Sequence, residues 1–495
     1  MKKKKTIPIE IVESGRIIDI KRDVMTIEGI PNCVYGEMLY LESGDKGLVI
    51  EFDEEKIVAL LIGSGINVKA GDKVFSRSDL FKIPVTEDLI GRIVNGLILP
   101  LDGKGKLSSD ETEPVFRDAP GIMLRAPIDE PFHTGIKLID TIIPLGKGQR
   151  ELVLGDRQTG KTTIAIDTII NQKDSGVICI YCWVGGSYNS MLKVVETLNA
   201  KGAMDYTVFV AAPASVSSSE QYLAPYTACA LGEYFLKKGK DVFVVFDNLT
   251  RHAWIYRQIA LLLNRSPGRE AYPGDIFYIH SQLMERACRL KPEIGGSMTF
   301  MPIADTLQGD ISGYIQTNLI SMTDGQIYTS SSLFNEGFKP AVDIGLSVSR
   351  IGSKVQSPAV KEISAGLRSE YIRFKELEKL IRLRTRISDK AAKKIAKGRA
   401  LTQILTQNAN EPVEDMEVIL IFYAFKSGIF EKISSVELER FEKNILSFLE
   451  DFDPECLSWI NEEKNLTENV KKRLDRVFAA FLNKNKTEET KITDQ

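Results

Sequence analysis

The sequence predicts a multidomain fold: an N-terminal β-barrel over residues 1–82, a central α/β P-loop domain with a parallel sheet over 83–357, an α-helical domain over 358–482 and a disordered tail over 483–495. Three observations predict this order. Short β-rich runs alternate with glycine turns before about residue 80. Near-continuous apolar strands then alternate with helical segments, as in sheets covered on both faces. Beyond about residue 357, apolar residues recur at helical spacing.

The first segment has the pattern of a small all-β unit. Runs such as GRIIDI, EMLYLE and KIVALLIG are separated by turn residues that include Gly29, Gly44, Gly63 and Gly71. Short strands at this spacing predict a barrel or a sandwich. A nucleic-acid-binding barrel is the alternative, but it needs aromatic platforms, which are sparse here. We therefore interpret the segment as a structural barrel.

The central segment contains a phosphate-binding pattern. Gly155, Gly160, Lys161 and Thr162 fit GxxxxGK[ST], between an apolar strand at 152–154 and a helical stretch that follows. Such a loop directs backbone N–H groups and a helix N-terminus at a triphosphate. The lysine would reach the β- and γ-phosphates, and the Thr162 hydroxyl would hold Mg²⁺. The alternative, an ordinary glycine turn between strand and helix, explains none of this spacing.

Apolar runs after the loop predict the strands of a parallel sheet. Ligands of such sheets gather at the carboxyl ends of the strands, where the phosphate loop and Asp247 both lie. Asp247 follows the apolar run 242–246 and is the candidate second Mg²⁺ ligand. The predicted strands are Val177–Val184, Thr207–Ala212, Asp241–Asp247, Asp275–His280 and Ser297–Ala304.

Hydrolysis of a bound nucleotide needs a further carboxylate that orients the attacking water. The strand after the phosphate-loop helix runs into Trp183 and the neutral stretch 184–190, and no acidic residue occurs before Glu196. Glu196 falls inside the next predicted helix. The sequence therefore predicts a site that binds ATP but is poorly equipped to cleave it.

The third segment contains three apolar stripes at helical spacing, and we interpret them as core faces of helices. Ser434 and Glu437 predict a capping box at the start of the second stripe. The tail from 483 has one apolar residue, Ile492, which is too few for a core, and it is predicted to be disordered. The stripes comprise Tyr371, Phe374, Leu377, Leu380 and Ile381; Leu438, Phe441, Ile445 and Phe448; and Leu474, Val477, Phe478 and Phe481.

Composition excludes several classes of protein. The formal net charge is −3, from 64 Lys and Arg against 67 Asp and Glu, so a bulk basic surface for nucleic acid is absent. No apolar run approaches the ~18 residues of a membrane span. The basic N-terminus lacks the apolar region of a secretory signal, and we expect a cytoplasmic protein. Cys179 and Cys182 have CxxC spacing on one strand, where they face opposite sides, so they are interpreted as buried thiols.

Several motifs, distributed along nearly the whole chain, resemble the alpha subunit of F-type rotary ATPases, whose nucleotide domain is RecA-like. They include GDRQTGKT at 155–162, LIGRIVNGLILPLDGKG at 89–105, SPGREAYPGD at 266–275 and GLSVSRIG at 345–352. Other ordered matches are APGIMLRAPIDEP, TGIKLIDTIIPLGKGQREL, GAMDYT, QYLAPYT and TNLISMTDGQI.

The resemblance implies a ring that alternates three alpha-like with three beta-like subunits around a gamma-like central shaft. The alpha-type sites would bind Mg-ATP without turnover, and Arg350 would project into the neighbouring beta-type catalytic site. Gln407 resembles a glutamine near the adenine, and SPGREAYPGD resembles the loop that faces the shaft. The implied nucleotide-binding residues are Gly155, Asp156, Arg157, Gln158, Thr159, Gly160, Lys161, Thr162 and Gln407.

The resemblance also implies proton-coupled ATP synthesis or hydrolysis, and attachment to the inner face of the plasma membrane through the complex. The chain departs from the family pattern at Gly186, Asn248 and Gln316. The family's helical N-terminal extension, which engages the peripheral stalk, is reduced to MKKKKTIPI. These departures favour an alternative: an F-type-like motor that hydrolyses ATP for mechanical work without a proton channel or ordinary stator. A hexameric helicase and a structural part of a scaffold are the further alternatives.

Overall fold

The computed structural model describes residues 12–63, 65–381, 389–431 and 433–493. The strands, in chain order, are β1 Glu13–Lys21, β2 Val24–Glu28, β3 Glu37–Leu41, β4 Lys46–Phe52, β5 Ile57–Ile62, β6 Lys73–Leu80, β7 Lys82–Pro84, β8 Ile93–Val94, β9 Thr112–Pro114, β10 Pro131–Phe132, β11 Leu145–Gly146, β12 Glu151–Gly155, β13 Ile178–Val184, β14 Thr207–Ala212, β15 Val242–Asp247, β16 Cys288–Arg289, β17 Ser297–Asp305, β18 Gly325–Thr329 and β19 Val348–Ser349.

Helices dominate the C-terminal third. They are α1 Lys137–Ile142, α2 Lys161–Ile170, α3 Tyr188–Ala200, α4 Ser218–Lys237, α5 Leu249–Leu262, α6 Ile276–Met284, α7 Tyr314–Met322, α8 Ser331–Asn335, α9 Pro358–Ser364, α10 Leu367–Ile381, α11 Asp389–Leu405, α12 Asp415–Lys426, α13 Ser435–Phe452, α14 Pro454–Glu463 and α15 Glu468–Thr493. Short 3₁₀ turns occur at Glu87–Leu89, Ile122–Leu124, Ala203–Tyr206, Arg269–Ala271, Gly352–Lys354 and Ile429–Glu431.

Contacts divide the chain into two compact units. The first comprises the described residues of 1–126 together with 174–305 and 312–322, and the second comprises 127–173, 306–311 and the described residues from 323 onward. The predicted central segment 83–357 is therefore shared between the two units.

The first unit contains the barrel. Strands β1 to β6 close in the order β1-β2-β5-β4-β3-β6, all pairs antiparallel. Alternate side chains of these strands, including Ile17, Met25, Leu39, Val49 and Val74, fill its interior and are almost fully buried. Closure leaves no free edge in this sheet, so of the two predicted forms, barrel and sandwich, the structure has the barrel.

The first unit also contains a parallel sheet of order β17-β15-β13-β14-β8, with β16 antiparallel to β17. Strands β13, β14, β15 and β17 are buried along their whole length. Helix α4 packs on β13 and β15, and α5 packs on β17. Cys179 and Cys182 are buried free thiols on β13, as predicted, and burial raises the pKa of both.

The second unit contains the phosphate loop and the helical region. Its strands β12 and β18 are parallel, and β19 is antiparallel to β18. Helices α9 to α15 form the helical region, in which Phe441, Leu474 and Phe478 are fully buried. The closed barrel, the parallel sheet and this helical region confirm the predicted fold class.

Two sequence predictions of local structure need correction. The run 275–280 was predicted as a strand but begins helix α6, because Ile276, Ile279, His280 and Leu283 are buried at helical spacing. The tail from 483 was predicted as disordered, whereas α15 continues to Thr493 and only 494–495 lie outside the described residues. Its Lys and Glu residues have high helix propensity, so the helix continues although the tail has a single apolar residue, Ile492.

Candidate functional site

The phosphate loop joins β12 to α2 in the second unit. Gln158 and Gly160 have φ of +64° and +91°, so the loop turns through left-handed conformations. Gly160 is the N-cap of α2 and offers no side chain to the first N–H groups of the helix. A helix N-terminus without a side-chain cap is a common place for an anion. A Cβ at Gly155 would collide with the Thr329 side chain and carbonyl group, so only glycine permits this approach of β12 to β18.

Lys161 is held across the loop. Its Nζ donates to the carbonyl oxygens of Gly155 and Asp156 at 2.8 and 2.5 Å, and only 6% of the residue is exposed. Thr159 Oγ1 donates to the Asp156 carbonyl at 2.8 Å and lies 2.6 Å from Thr329 Oγ1. The Lys161 ammonium group thus lies at the start of α2. The hydrogen bonds of Lys161 and Thr159 hold the loop in place.

The Asp156 carboxylate points into the protein. It accepts hydrogen bonds from Thr306 Oγ1 at 2.6 Å, Gly309 N–H at 2.8 Å and Ser331 Oγ at 2.9 Å. Burial alone would raise its pKa, but these donors lower the pKa below its ordinary value. Asp156 therefore fixes the loop through segments that are distant in sequence.

A cavity of about 220 Å³ adjoins the loop within the second unit. It combines apolar walls with a few polar groups, which is the usual composition of a small-molecule site. The sequence motifs did not reveal most of these residues, because the lining comes from four separate segments. The lining residues are Ile136, Thr159, Gly160, Thr163, Ile164, Asp167, Phe334, Lys339, Pro340, Ala341, Gln407, Asn408 and Ala409.

Gln407 lines this cavity, beside Thr159 and Gly160 of the loop. Its Oε1 accepts from the N–H of Lys137 at 2.9 Å, and its Nε2 donates to the carbonyls of Gly135 and Glu411 at 2.7 and 2.9 Å. The amide group therefore holds two wall segments together.

The two candidate Mg²⁺ ligands belong to different units. Thr162 is the second residue of α2, in the second unit. Asp247 ends β15 in the first unit, is 3% exposed, and its Oδ2 accepts from the Tyr181 hydroxyl at 2.9 Å. A hydroxyl and a carboxylate are oxygen donors of the kind that Mg²⁺ prefers.

Two departures from the family pattern have local partners in the first unit. Asn248 caps α5 by accepting from the Arg251 N–H at 2.9 Å and donates to Asp305 Oδ2 at 3.1 Å. Gln316 on α7 donates to the Asp305 carbonyl at 2.6 Å. Both amides therefore hold helices to the carboxyl end of β17.

The carboxyl end of β13 is filled by Trp183 and Arg251. The Arg251 guanidinium lies 5.9 Å from the centre of the Trp183 ring. A Cβ at Gly186 would collide with both side chains. Glu196, the next acidic residue, is exposed on α3. The end of this strand therefore has neither a carboxylate nor space for one.

Arg350 follows β19 and is exposed, and its N–H donates to the Asp324 carbonyl at 2.8 Å. Ser349 pairs with Gly325, which pairs with Glu151 at the start of β12. The phosphate loop follows the other end of β12, about 13 Å of extended strand away. The structure thus places Arg350 and the chain's own phosphate loop at opposite ends of one strand.

One further cluster among the described residues has metal-ligand composition, namely His133, Asp140 and Asp415. Asp140 accepts from Thr134 and Gly135, and His133 Nδ1 lies 2.8 Å from Asp415 Oδ1. Burial raises the pKa of Asp140 to about 6. These hydrogen bonds and the His133–Asp415 contact give the three residues a structural role.

No described helix is both long enough and apolar enough to cross a membrane. The models of the ATP synthase alpha/beta family match three consecutive parts of the chain: the beta-barrel domain at 11–76, the nucleotide-binding domain at 135–349 and the C-terminal domain at 356–481.

Among curated proteins, ATP synthase subunit alpha of Petrotoga mobilis is 43% identical over 479 residues, which cover 96% of this chain and 95% of that protein. ATP synthase subunit alpha of Clostridium botulinum strain Eklund 17B is 43% identical over 474 residues, with 96% and 94% coverage. The chain therefore belongs to the ATP synthase alpha/beta family, in which it groups with the alpha subunits of F-type ATP synthases.

Proposed function

We propose that this chain is the non-catalytic, Mg-ATP-binding alpha-type subunit of the head of an F-type ATP synthase and supplies Arg350 in trans to a beta-type catalytic site. The observation that carries the proposal is the position of Arg350. Its backbone lies near the opposite end of β12 from the chain's own phosphate loop, which supports a role at another subunit's nucleotide.

The loop residues 155–162 would hold the phosphates, with Lys161 at the β- and γ-phosphates. The cavity that Gln407 lines would take the adenine. Thr162 and Asp247 are the candidate Mg²⁺ ligands, each in its own unit, and a bound Mg²⁺ would supply charge neutralisation at the phosphates. The end of β13 lacks a carboxylate for water activation, which supports a holding site.

The proposed assembly is a ring of three alpha-type and three beta-type subunits around a gamma-like shaft, joined to the inner face of the plasma membrane through a proton channel and a peripheral stalk. Isolation of the native complex tests this assembly by its subunit composition. Absence of a channel and a stalk would instead support the F-type-like mechanical motor, which the departures at Gly186, Asn248 and Gln316 favour.

Arg350→Ala tests the role in trans. Loss of the guanidinium from the partner's site should lower ATP turnover of the assembled complex by about 10³–10⁵-fold, as with comparable arginine fingers. Steady-state ATPase assays of the reconstituted complex measure the loss. Binding of Mg-ATP to this chain, followed by equilibrium dialysis, should not change.

Two further variants control this experiment. Arg373→Ala removes an exposed arginine of α10 and should leave turnover unchanged. Lys161→Ala should abolish Mg-ATP binding by this chain. Near-normal turnover of the Arg350→Ala complex, or steady ATPase activity from the purified chain alone, would contradict the proposal.

A further inference from the structure

Glu151, the first residue of β12, has a buried acidic side chain. It lies near β18 and the end of β19 that precedes Arg350. Its exposed fraction is 0%, and Gln149 Nε2 donates to its Oε2 at 2.6 Å. Among the described residues, Glu151 Oε1 has no hydrogen-bond partner. A buried polar atom without a partner costs about 1–3 kcal/mol, so this carboxyl group calls for an explanation beyond packing.

Glycine at position 325 brings the carboxyl group close to β19. Gly325 pairs with Glu151 on one side and with Ser349 on the other. A Cβ at Gly325 would lie 2.5 and 2.8 Å from the two carboxyl oxygens of Glu151 and would collide with the Val348 carbonyl oxygen. The Glu151 carboxyl group and the Val348 carbonyl group therefore lie on the same face of Gly325. Val348 precedes Arg350 by two residues.

Two charged residues influence the carboxyl group. Asp324 forms a bidentate ion pair with Arg150, from Nε at 3.0 Å and Nη2 at 2.7 Å, and its carbonyl accepts the Arg350 N–H. Burial raises the pKa of Glu151 well above its usual range; Asp324 raises it further, while Gln149 and the charge of Arg350 lower it. A protonated carboxyl group has one O–H donor, and the Val348 carbonyl is an acceptor on the same face.

We propose that Glu151 is a positioning residue for Arg350: its neutral carboxyl group, held by Gln149, donates to the Val348 carbonyl and fixes the end of β19 from which Arg350 extends. An ionised carboxyl group would repel the Val348 oxygen and attract the guanidinium inward, away from the partner's nucleotide. The inference rests on the proposed role of Arg350 in trans.

Three substitutions in the assembled complex test the proposal. Glu151→Gln keeps a neutral donor and an acceptor for Gln149, and its kcat should stay within about twofold of the parent. Glu151→Leu and Glu151→Met keep the volume but lose the donor, and each should lower kcat about tenfold or more. KM for ATP should stay within about twofold, because Glu151 does not contact the partner's nucleotide.

A double-mutant cycle separates positioning from a general structural effect. In an Arg350→Ala background, Glu151→Leu should change the residual turnover by less than about twofold, since no guanidinium is left to position. Gln326→Leu alters the next residue of β18, whose side chain lies on the other face and donates to the Leu346 carbonyl at 3.2 Å; it should lower kcat by less than Glu151→Leu does. Mg-ATP binding to this chain should be the same in every variant.

The possible outcomes are distinct. Parental kcat in the Leu and Met variants, an equal loss in the Gln variant, or an undiminished loss in the Arg350→Ala background would each overturn the role of Glu151 alone. Failure of both apolar variants to assemble would also overturn it, in favour of a purely structural role. High turnover of the Arg350→Ala complex would overturn the proposed function and this inference together.

Discussion

At the scale of single residues, the phosphate loop depends on positions where a side chain is impossible or strained. Gly155 has no space for a Cβ beside Thr329, and Gly160 has a left-handed conformation that glycine adopts without cost. Lys161 is fixed by carbonyl groups of the loop itself. The motif spacing identified these residues because the chemistry of phosphate binding requires them in one continuous segment.

Gly186 presents the same steric limit at the end of β13. Gly186→Glu should lower the free energy of unfolding by about 1–3 kcal/mol, because its Cβ would displace Trp183 or Arg251. Urea denaturation followed by circular dichroism measures the change. The variant chain should gain no ATPase activity.

Tyr188→Glu is the matched control for Gly186→Glu. Tyr188 is 54% exposed at the first turn of α3, where a carboxylate is tolerated, so the same charge should change stability by less than about 0.5 kcal/mol. Equal stability of both variants would show that the end of β13 can accept a side chain.

At the scale of elements, α13 shows how a local signal and a buried face agree. Ser434 Oγ accepts from the Glu437 N–H, and the Glu437 carboxylate accepts from the Ser434 N–H, which forms the predicted capping box. Leu438, Phe441 and Ile445 then form the buried face. Helix α6 shows the opposite case, since a short apolar run does not distinguish a strand from a buried helix.

Ser434→Ala should destabilise α13. Loss of the hydroxyl acceptor leaves a first-turn N–H without its cap and should cost about 1 kcal/mol of unfolding free energy. Ser435→Ala, at the next, exposed position, is the control and should cost less than about 0.5 kcal/mol. If the denaturation curves of Ser434→Ala and Ser435→Ala coincide, the capping box has no stabilising role.

At the scale of the whole molecule, buried titratable groups determine how the stability of the folded chain depends on pH. The first unit buries a histidine pair, in which His252 Nδ1 lies 3.3 Å from His280 Nε2 and His252 Nε2 lies 3.0 Å from the Tyr222 carbonyl. Burial lowers the pKa of His252 to about 4 and lowers the pKa of His280 well below its usual value. Both imidazoles are therefore neutral in the folded chain near neutral pH.

The histidine pair should make the folded chain sensitive to acid. The unfolded chain binds these protons below about pH 6.5, whereas folded His252 binds its proton only near pH 4. Stability is therefore full above pH 6.5 and falls as pH decreases, by on the order of 3 kcal/mol for His252. Denaturant titrations from pH 7 to pH 4 should show a smaller acid loss for His252→Gln than for the parent.

His133→Gln is a control of opposite sign. Burial tends to lower the pKa of His133, but Asp415 raises it above its ordinary value overall. His133 therefore contributes stability that is present at low pH and is lost as pH rises through the folded pKa. Removing it should steepen the acid loss. An unchanged pH dependence in His252→Gln would show that the pair does not titrate on unfolding.

The sequence by itself determined the fold class, the phosphate loop and the family, because each depends on periodicity or spacing along continuous segments. Asp247 at a strand end and Ser434 at a helix start were also predictable from local signals alone. Only the tertiary structure brought Thr306, Gly309 and Ser331 onto Asp156.

The tertiary structure alone also decided the cavity wall, the filled end of β13 and the carboxyl group of Glu151 beneath Gly325. The physical reason is the same in each case. These features depend on which distant segments approach within a few ångströms of each other, and neither spacing nor composition encodes that distance. The sequence thus determined the ligand loop, whereas the fold determined where Arg350 lies relative to it.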